Sequence, residues 1–219
     1  RTFSLVPLDP PRSGKVTTYH QTIARSGLPR PDAARPLAGS ATVWWQEAHC
    51  GGRDRREVRQ AAQLDAATLG RLSAPRANLA GLALDRPRIM GILNITPDSF
   101  SDGGQVFAVN AALARARKMA TEADILDIGG ESTRPGSAAV PEKDEIARVV
   151  PLIEAIRAAG ITTPISIDTR KASVAAAALD AGADIVNDVA AMAYDGAMAS
   201  LVAERGVPVC LMHAQGDPE

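Results

Sequence analysis

The residues of this sequence that are best suited to chemistry follow a short apolar run that stops abruptly at Asn94. The loop after it, Thr96–Gly104, is polar, contains Gly and Pro, and is dense in groups able to bind phosphate or metal. A buried strand that ends in such a loop is how parallel α/β enzymes display their sites. Four later apolar runs end in the same way, on polar groups that include Asp127–Arg134, Asp168, Asn187 with Asp188, and His213 with Gln215.

The elements that must position these residues alternate along the chain. The clearest helix is Glu142–Ala159, whose Ile and Val residues share one face at a 3.6-residue period, and the helices Ala172–Ala181 and Gly196–Arg205 each end at a glycine. Strand and helix in alternation predict a parallel sheet with right-handed crossovers. The predicted strands are Arg88–Leu93, Ile125–Gly129, Pro164–Ile167, Asp184–Val186 and Val207–Met212.

An open doubly wound sheet and a (β/α)₈ barrel share this local pattern. A dinucleotide-binding sheet should carry G-x-G-x-x-G after its first strand, and the sequence has none. Polar groups at five successive strand ends favour a barrel rim, where all these ends converge. The sequence stops at Glu219, just after the fifth strand, so we expect a TIM barrel truncated to about five βα units, over residues 87–219.

Residues 1–86 are rich in Pro, Arg and Gly and show no sustained period. We interpret them as an N-terminal extension of uncertain structure. Within it, Ala41–Trp45 fits a short strand and Asp54–Leu72 fits a helix. Because the chain begins at Arg1 and not Met, we expect its N-terminus to be incomplete or processed.

Composition excludes several classes of function. A formal net charge of −1 argues against a nucleic acid or an anionic membrane bound through a broad basic face. Two cysteines form no disulfide framework, and no signal peptide or membrane-spanning run is present. A reducing cytoplasm is therefore the expected location.

Five motifs of the sequence strongly resemble dihydropteroate synthase, in the order and at the spacing of that family. The resemblance covers about residues 88–219, the first five of the family's eight βα units. The motifs are G-I-L-N-I-T-P-D-S-F-S-D-G-G (91–104), D-I-L-D-I-G-G-E-S-T-R-P-G (124–136), I-S-I-D-T (165–169), A-D-I-V-N-D-V (183–189) and P-V-C-L-M-H-A-Q-G (208–216).

The resemblance implies a reaction in folate biosynthesis. Enzymes of this family condense 6-hydroxymethyl-7,8-dihydropterin diphosphate with 4-aminobenzoate, with Mg²⁺ assisting, and release dihydropteroate and pyrophosphate. They are transferases and the target of sulfonamides, which resemble 4-aminobenzoate. The full-length form is expected to be a homodimer whose partners are small-molecule substrates, with no nucleic acid and no membrane.

The resemblance also implies roles for single residues. Asp168 and Asn187 would bind the pterin, through a bidentate carboxylate and a mixed amide edge. Asn94 would supply an oxygen ligand to Mg²⁺. On spacing alone, a capping or turn-forming role is favoured over a ligand-binding role for all three.

Three loop residues complete the expected site. Thr133 matches a substrate contact of the family, and Asp98 and Arg134 are candidates for a catalytic role. Thr133 and Arg134 also fit a surface turn with no ligand.

The sequence departs from the family where it ends. The family's later motifs, which supply a second pterin carboxylate, a Lys near the ring and the Arg and His that hold phosphate, have no counterpart here. We therefore expect the 219 residues alone to be inactive, because each lost electrostatic group costs roughly 10²–10³ in rate. Two alternatives remain: an inactive pterin-binding remnant, and a pterin-dependent corrinoid methyltransferase, which should lack the 96–104 motif.

Overall fold

The computed structural model describes residues 18–52, 56–95, 104–131 and 139–212. The chain divides into two compact units, Arg1–Arg76 and Ala77–Glu219. The boundary predicted near residue 86 remains a prediction.

The described part of the first unit contains short antiparallel strands and one helix, α1 (Ala66–Ser73), which follows a 3₁₀ turn at Ala61–Gln63. Its described strands are β1 (Tyr19–Thr22), β2 (Arg25–Ser26), β3 (Arg35–Pro36), β4 (Val43–Trp45), β5 (Glu47–Gly51) and β6 (Arg56–Gln60). They form two three-stranded sheets, in the orders β1-β5-β6 and β2-β4-β3. The strand predicted at Ala41–Trp45 is confirmed as β4. The buried core of the unit consists of Trp45, Ala48, Cys50, Ala61 and Leu64.

The helix predicted over Asp54–Leu72 is wrong in its first half. Residues 56–60 form β6, an exposed strand paired antiparallel with β5, with Val58 opposite His49. Pairing supplies the backbone hydrogen bonds that a helix would otherwise provide, so the neighbouring strand overrides local preference. The helix begins only after Asp65, whose carboxylate accepts a hydrogen bond from the Thr68 N–H at 2.8 Å.

The described residues of the second unit form a five-stranded parallel sheet with helices between its strands. The strands are β7 (Met90–Asn94), β8 (Ile125–Gly129), β9 (Ile165–Asp168), β10 (Ile185–Asp188) and β11 (Val209–Leu211). The helices are α2 (Gly104–Met119), α3 (Glu142–Ala158), α4 (Ala172–Asp180) and α5 (Met198–Arg205). All five predicted strands and the three predicted helices are confirmed, with ends shifted by a few residues.

The strands lie in the sheet in chain order, β7-β8-β9-β10-β11. An open doubly wound sheet reverses its order at a switch point, whereas a barrel adds each strand beside the last. The described strands therefore follow barrel order, as predicted. Every residue of β8 is buried, which is expected of a parallel strand covered on both faces.

The core of this unit lies between the sheet and its helices. One face of α3 packs there, through Val149, Leu152, Ile153 and Ile156, against sheet residues such as Ile165. This is the apolar face that the 3.6-residue period predicted. The end of α5 is also as predicted, because Gly206 takes a left-handed conformation (φ 62°) that a side chain would strain. The packing leaves the carboxyl ends of the strands along one edge of the sheet.

Candidate active site

Three predicted site residues lie in one row across the carboxyl edge of the sheet. The register of the parallel strands pairs Asn94 with Gly129, Gly129 with Asp168, and Asp168 with Asn187. Residues paired in this way leave the sheet at the same level. The structure therefore brings together three side chains that the sequence predicts to share a site, with Gly129 between Asn94 and Asp168.

Gly129 leaves room for its neighbours on both sides. A Cβ atom built on it would lie 2.9 Å from Asn94 Oδ1, and 3.6 Å from both the Cβ and the Oδ2 of Asp168. The Asn94 amide thus lies over the end of β8, toward the Asp168 carboxylate. Any side chain at position 129 would separate these two groups.

Among the described residues of the site, Asp168 has the largest shift in pKa. Its carboxylate is partly buried and, within the described residues, makes no hydrogen bond or ion pair. Burial, and after it the negative charges of the nearby carboxylates of Asp127, Glu145, Asp188 and Glu131, together raise its pKa from 3.8 to about 7. A group with this environment, at the mouth of a barrel, is typical of a functional site.

Asp127 lies one layer below this row and contacts Asn187. Its side chain is 4% exposed. The Asn187 Nδ2 group donates to Asp127 Oδ2 at 3.2 Å and lies 3.4 Å from Oδ1. Burial raises the pKa of the Asp127 carboxyl, and the neighbouring Ser166 hydroxyl and the hydrogen bond from Asn187 offset part of this effect.

Asp188 turns away from the row and caps the loop after β10. It is fully buried, and its two carboxylate oxygens accept hydrogen bonds from the N–H groups of Ala190 and Met192, both at 2.8 Å. Ala191 and Met192 have positive φ angles of 50° and 63°. The carboxylate therefore stabilises a strained turn directly beside Asn187.

A buried ionic cluster lies next to the carboxyl edge of the sheet, between the ends of β8 and β9 and the first turn of α3. The Lys171 ammonium donates to Glu145 at 2.5 Å, to Glu131 at 2.8 Å and to the Val140 carbonyl at 2.8 Å. Arg170 adds a hydrogen bond to Glu131 at 3.1 Å. Although burial opposes it, these contacts raise the pKa of Lys171 and lower that of Glu131. Both groups are therefore charged at neutral pH, and the cluster joins the ends of β8 and β9 to the start of α3.

Sequence reasoning missed part of this arrangement. Glu131 and Lys171 lie within or beside the quoted motifs, but nothing in their spacing indicates that they pair. The role of Asp127 was likewise not assigned. Three predicted residues, Asp98, Thr133 and Arg134, lie outside the described residues.

The described part of the chain contains no group of three or more His, Cys, Asp or Glu residues arranged to hold a metal ion. Asn94 is exposed at the end of β7 and offers a single hard oxygen donor. Mg²⁺ commonly takes few protein ligands and retains waters and substrate phosphates, so this residue fits such an ion. None of the described helices is both long enough and apolar enough to span a membrane.

The arrangement can therefore hold a ligand whose edge carries N–H donors. A carboxylate with no partner among the described residues and an amide at the same level can each accept a hydrogen bond from such an edge. The neighbouring amide oxygen of Asn94 suits a metal ion carried by phosphate.

Comparisons with known proteins agree with this chemistry. A family model described as "Pterin binding enzyme" matches residues 90–219. Dihydropteroate synthase from Streptococcus pyogenes is 57% identical over 128 residues, which cover 58% of this chain and 48% of that protein. The chain spans about half the length, or less, of the curated relatives that it matches.

Solved structures give the same result. Dihydropteroate synthase from Xanthomonas albilineans with 4-aminobenzoic acid matches with a TM-score of 0.59 and 52% identity, over 66% of this chain and 54% of that chain. The Burkholderia cenocepacia enzyme complexed with 7,8-dihydropteroate matches with a TM-score of 0.52 and 46% identity, over 63% and 45%. Structures of this kind are TIM barrels, which confirms the predicted fold class.

Proposed function

We propose, from the premise that this chain belongs to the family of pterin-binding enzymes, that its protein is a transferase of folate biosynthesis with dihydropteroate synthase activity. The substrates would be 6-hydroxymethyl-7,8-dihydropterin diphosphate and 4-aminobenzoate. The products would be dihydropteroate and pyrophosphate.

One observation carries this proposal: the partly buried carboxylate of Asp168 has no partner among the described residues and lies in register with Asn187. An uncompensated carboxylate in this position is costly unless a ligand supplies the missing donors. The guanidine-like edge of a pterin carries adjacent N–H donors that can meet it in a bidentate, charge-assisted pair.

The same carboxylate has a role in the reaction. When the carbon–oxygen bond to the diphosphate breaks, positive charge develops on the methylene carbon and spreads into the pterin ring. Asp168, held beside the ring by the end of β9, stabilises this charge. Because the residue is already in place and partly desolvated, its effect is larger than it would be in water. The neutral amino group of 4-aminobenzoate then attacks the carbon.

Asn94 is the residue that would hold Mg²⁺, through its amide oxygen beside Gly129. When bound, the ion supplies charge to stabilise the departing diphosphate. The role of Asn94 is to orient that oxygen, and Gly129 permits its position.

The remaining features of the proposal rest on the family resemblance. We infer that the protein acts in the cytoplasm as a homodimer and that sulfonamides compete with 4-aminobenzoate at its site. The synthase names of the reported relatives do not favour the two alternatives, an inactive remnant and a corrinoid methyltransferase.

The test is a direct assay on the full-length protein with both substrates and Mg²⁺, in which dihydropteroate is separated and quantified. Asp168→Asn should lose at least about 100-fold in pterin affinity, because a charge-assisted bidentate pair is lost. Asp180→Asn is the matched control, because Asp180 forms only an exposed surface ion pair with Arg205. Product formation that is equal in both variants would overturn the proposal.

A further inference from the structure

We propose that the buried carboxylate of Asp127 is a positioning residue: it fixes the orientation of the Asn187 amide and so makes Asn187 select ligands that present an N–H donor. This inference rests on the proposed function, which supplies the pterin ring. It assigns a role to a residue that does not touch the ligand itself.

The contact is unusual because the two residues lie on strands that are not neighbours. Asp127 is on β8 and Asn187 is on β10, with β9 between them. The β9 residue in register with Asp127 is Ser166, which is fully buried and small. A larger residue there would block the path, so the small side chain of β9 allows Asp127 to reach Asn187 at 3.2 Å.

The chemistry of the pair determines which way the amide points. An amide has a donor end and an acceptor end of nearly equal size, and in isolation it can flip. An ionised carboxylate only accepts hydrogen bonds, so the Nδ2 end must face Asp127. The Oδ1 end of Asn187 therefore faces away from Asp127 and is left to accept a hydrogen bond.

Burial makes this orientation strict. Asp127 is 4% exposed, so water does not readily replace the amide as its donor. Flipping Asn187 would place two acceptors against each other in a site with little solvent, and would take one hydrogen-bond donor away from the buried carboxylate. The amide is thus held in one orientation before the ligand arrives.

The consequence is a preference for an amino group over a carbonyl on the ring edge. A pterin carries an exocyclic amino group at its 2-position, whereas lumazine, the same ring system with a 2-oxo group, presents an acceptor there. When the side-chain carbonyl of Asn187 faces the ligand, the 2-oxo group of lumazine lies against it. Both groups are hydrogen-bond acceptors, so no hydrogen bond forms. With Asn187 free to flip, the mismatch at Asn187 is largely removed, whereas any contribution of Asp168 to the preference is unchanged.

The test compares the ratio of the dissociation constants for lumazine and pterin, measured by calorimetry on the full-length protein. Asp127→Asn replaces the carboxylate with a group that can either donate or accept, so the amide of Asn187 is free to flip. We expect the ratio to fall by about tenfold, as one mispaired hydrogen bond is relieved. Asp124→Asn is the matched control: it makes the same substitution just before β8, where Asp124 pairs with Arg86 and Arg88, and should leave the ratio unchanged.

The outcomes separate the two proposals. A wild-type protein that binds neither ring overturns the proposed function and this inference with it. A wild type that prefers pterin, with an unchanged ratio in Asp127→Asn, overturns the inference alone. An equal fall in Asp124→Asn also overturns it, because a general loss of stability would then explain both.

A second measurement covers the case in which Asp127→Asn does not fold. The ¹⁵N signal of the Asn187 side-chain amide is assigned as the one that disappears in Asn187→Ala. One of its two N–H protons should exchange with solvent more slowly than the side-chain protons of the exposed Asn78. Exchange of both Asn187 protons at the rate of Asn78 would overturn the inference.

Discussion

The amide oxygen of Asn94 lies where a side chain on Gly129 would have to go, 2.9 Å from the position of that Cβ atom. The two residues are partners across β7 and β8, so this proximity is a property of the sheet register. Asn94 is a proposed metal ligand, and Gly129 has no side chain. The missing side chain of Gly129 therefore allows the amide oxygen of Asn94 to take its position.

Gly129→Ala should impair the proposed Mg²⁺-dependent step with little loss of stability. The new methyl group would displace the end of a flexible side chain, which costs little, but would move the Asn94 oxygen out of place. We expect the apparent Mg²⁺ requirement in the synthase assay to rise about tenfold. The free energy of unfolding should change only slightly, by about 1 kcal/mol or less.

Gly70→Ala is the control for this substitution. Gly70 lies inside α1, and a Cβ atom there meets nothing within 4 Å. This variant should be stabilised by about 0.5–1 kcal/mol and keep its Mg²⁺ dependence. A Gly129→Ala enzyme with the wild-type Mg²⁺ requirement would contradict the role given to Asn94.

Asp168→Asn should make the protein more stable at neutral pH while it removes pterin binding. In the unfolded chain Asp168 titrates near 3.8, and in the folded protein its pKa is about 7. Between these values the folded protein binds more protons, so its free energy of unfolding falls as pH rises from about 4 to about 7. The amide has no such titration, and above pH 7 the variant should be more stable by about 1–3 kcal/mol.

Denaturant unfolding at pH 5 and pH 8 checks this prediction. The stability difference between Asp168→Asn and wild type should grow with pH, whereas Asp180→Asn should follow wild type at both values. A difference that is constant, or that shrinks as pH rises, would show that the Asp168 carboxyl group is not held in its neutral form by its surroundings.

Pterin affinity should also depend on the ionisation of Asp168, but it should rise with pH where stability falls. The ionised carboxylate accepts the N–H donors of the ring, and its pKa of about 7 leaves it mostly protonated at pH 6. As pH rises toward 7, we expect the dissociation constant of a pterin to fall by up to about tenfold per pH unit. Above pH 7 it should level off. Titration calorimetry between pH 5.5 and 7.5 measures this, and Asp168→Asn should show weak binding without the slope.

Lys171→Met should strongly destabilise the second unit. Its ammonium group is the partner of two buried carboxylates: without it Glu145 would lose its ion-pair partner, and Glu131 would keep only Arg170. The expected loss is about 3–5 kcal/mol of unfolding free energy. Lys118→Met, an exposed substitution in the last turn of α2, should stay within about 0.5 kcal/mol of wild type.

A double variant separates this effect from a simple loss of packing. Adding Glu145→Met to Lys171→Met removes one of the orphaned charges, so it should recover part of the lost stability. Equal stability of Lys171→Met and Lys118→Met in thermal unfolding would contradict the buried ionic cluster.

Asp188→Ala should loosen the turn beside Asn187. Two N–H groups would lose their acceptor, and the positive φ angles of Ala191 and Met192 would no longer be held by it. We expect a loss of about 1–3 kcal/mol and weaker pterin binding. Asp188→Asn keeps one acceptor and should lie between wild type and Asp188→Ala; the reverse order in denaturant unfolding would refute this account.

Much of the second unit could be predicted because its strands and helices are encoded locally. The apolar face of Glu142–Ala159 and the glycine at the end of α5 are properties of short stretches of chain. The first unit was harder, since its strands are short and some of them, such as β6, are exposed along their whole length. There the residues 56–60 took their conformation from pairing with β5, which no local pattern indicates.

The sequence by itself determined the order of the βα units and the placement of Asn94, Asp168 and Asn187 at strand ends, because apolar periodicity and strand termination are local. Only the tertiary structure decided which of these groups meet. The Asp127–Asn187 contact joins residues 60 positions apart, and Lys171 reaches Glu131 across 40. Such pairs depend on strand register and on the small side chain of Ser166, which are set when the whole sheet packs against its helices and not within any one segment.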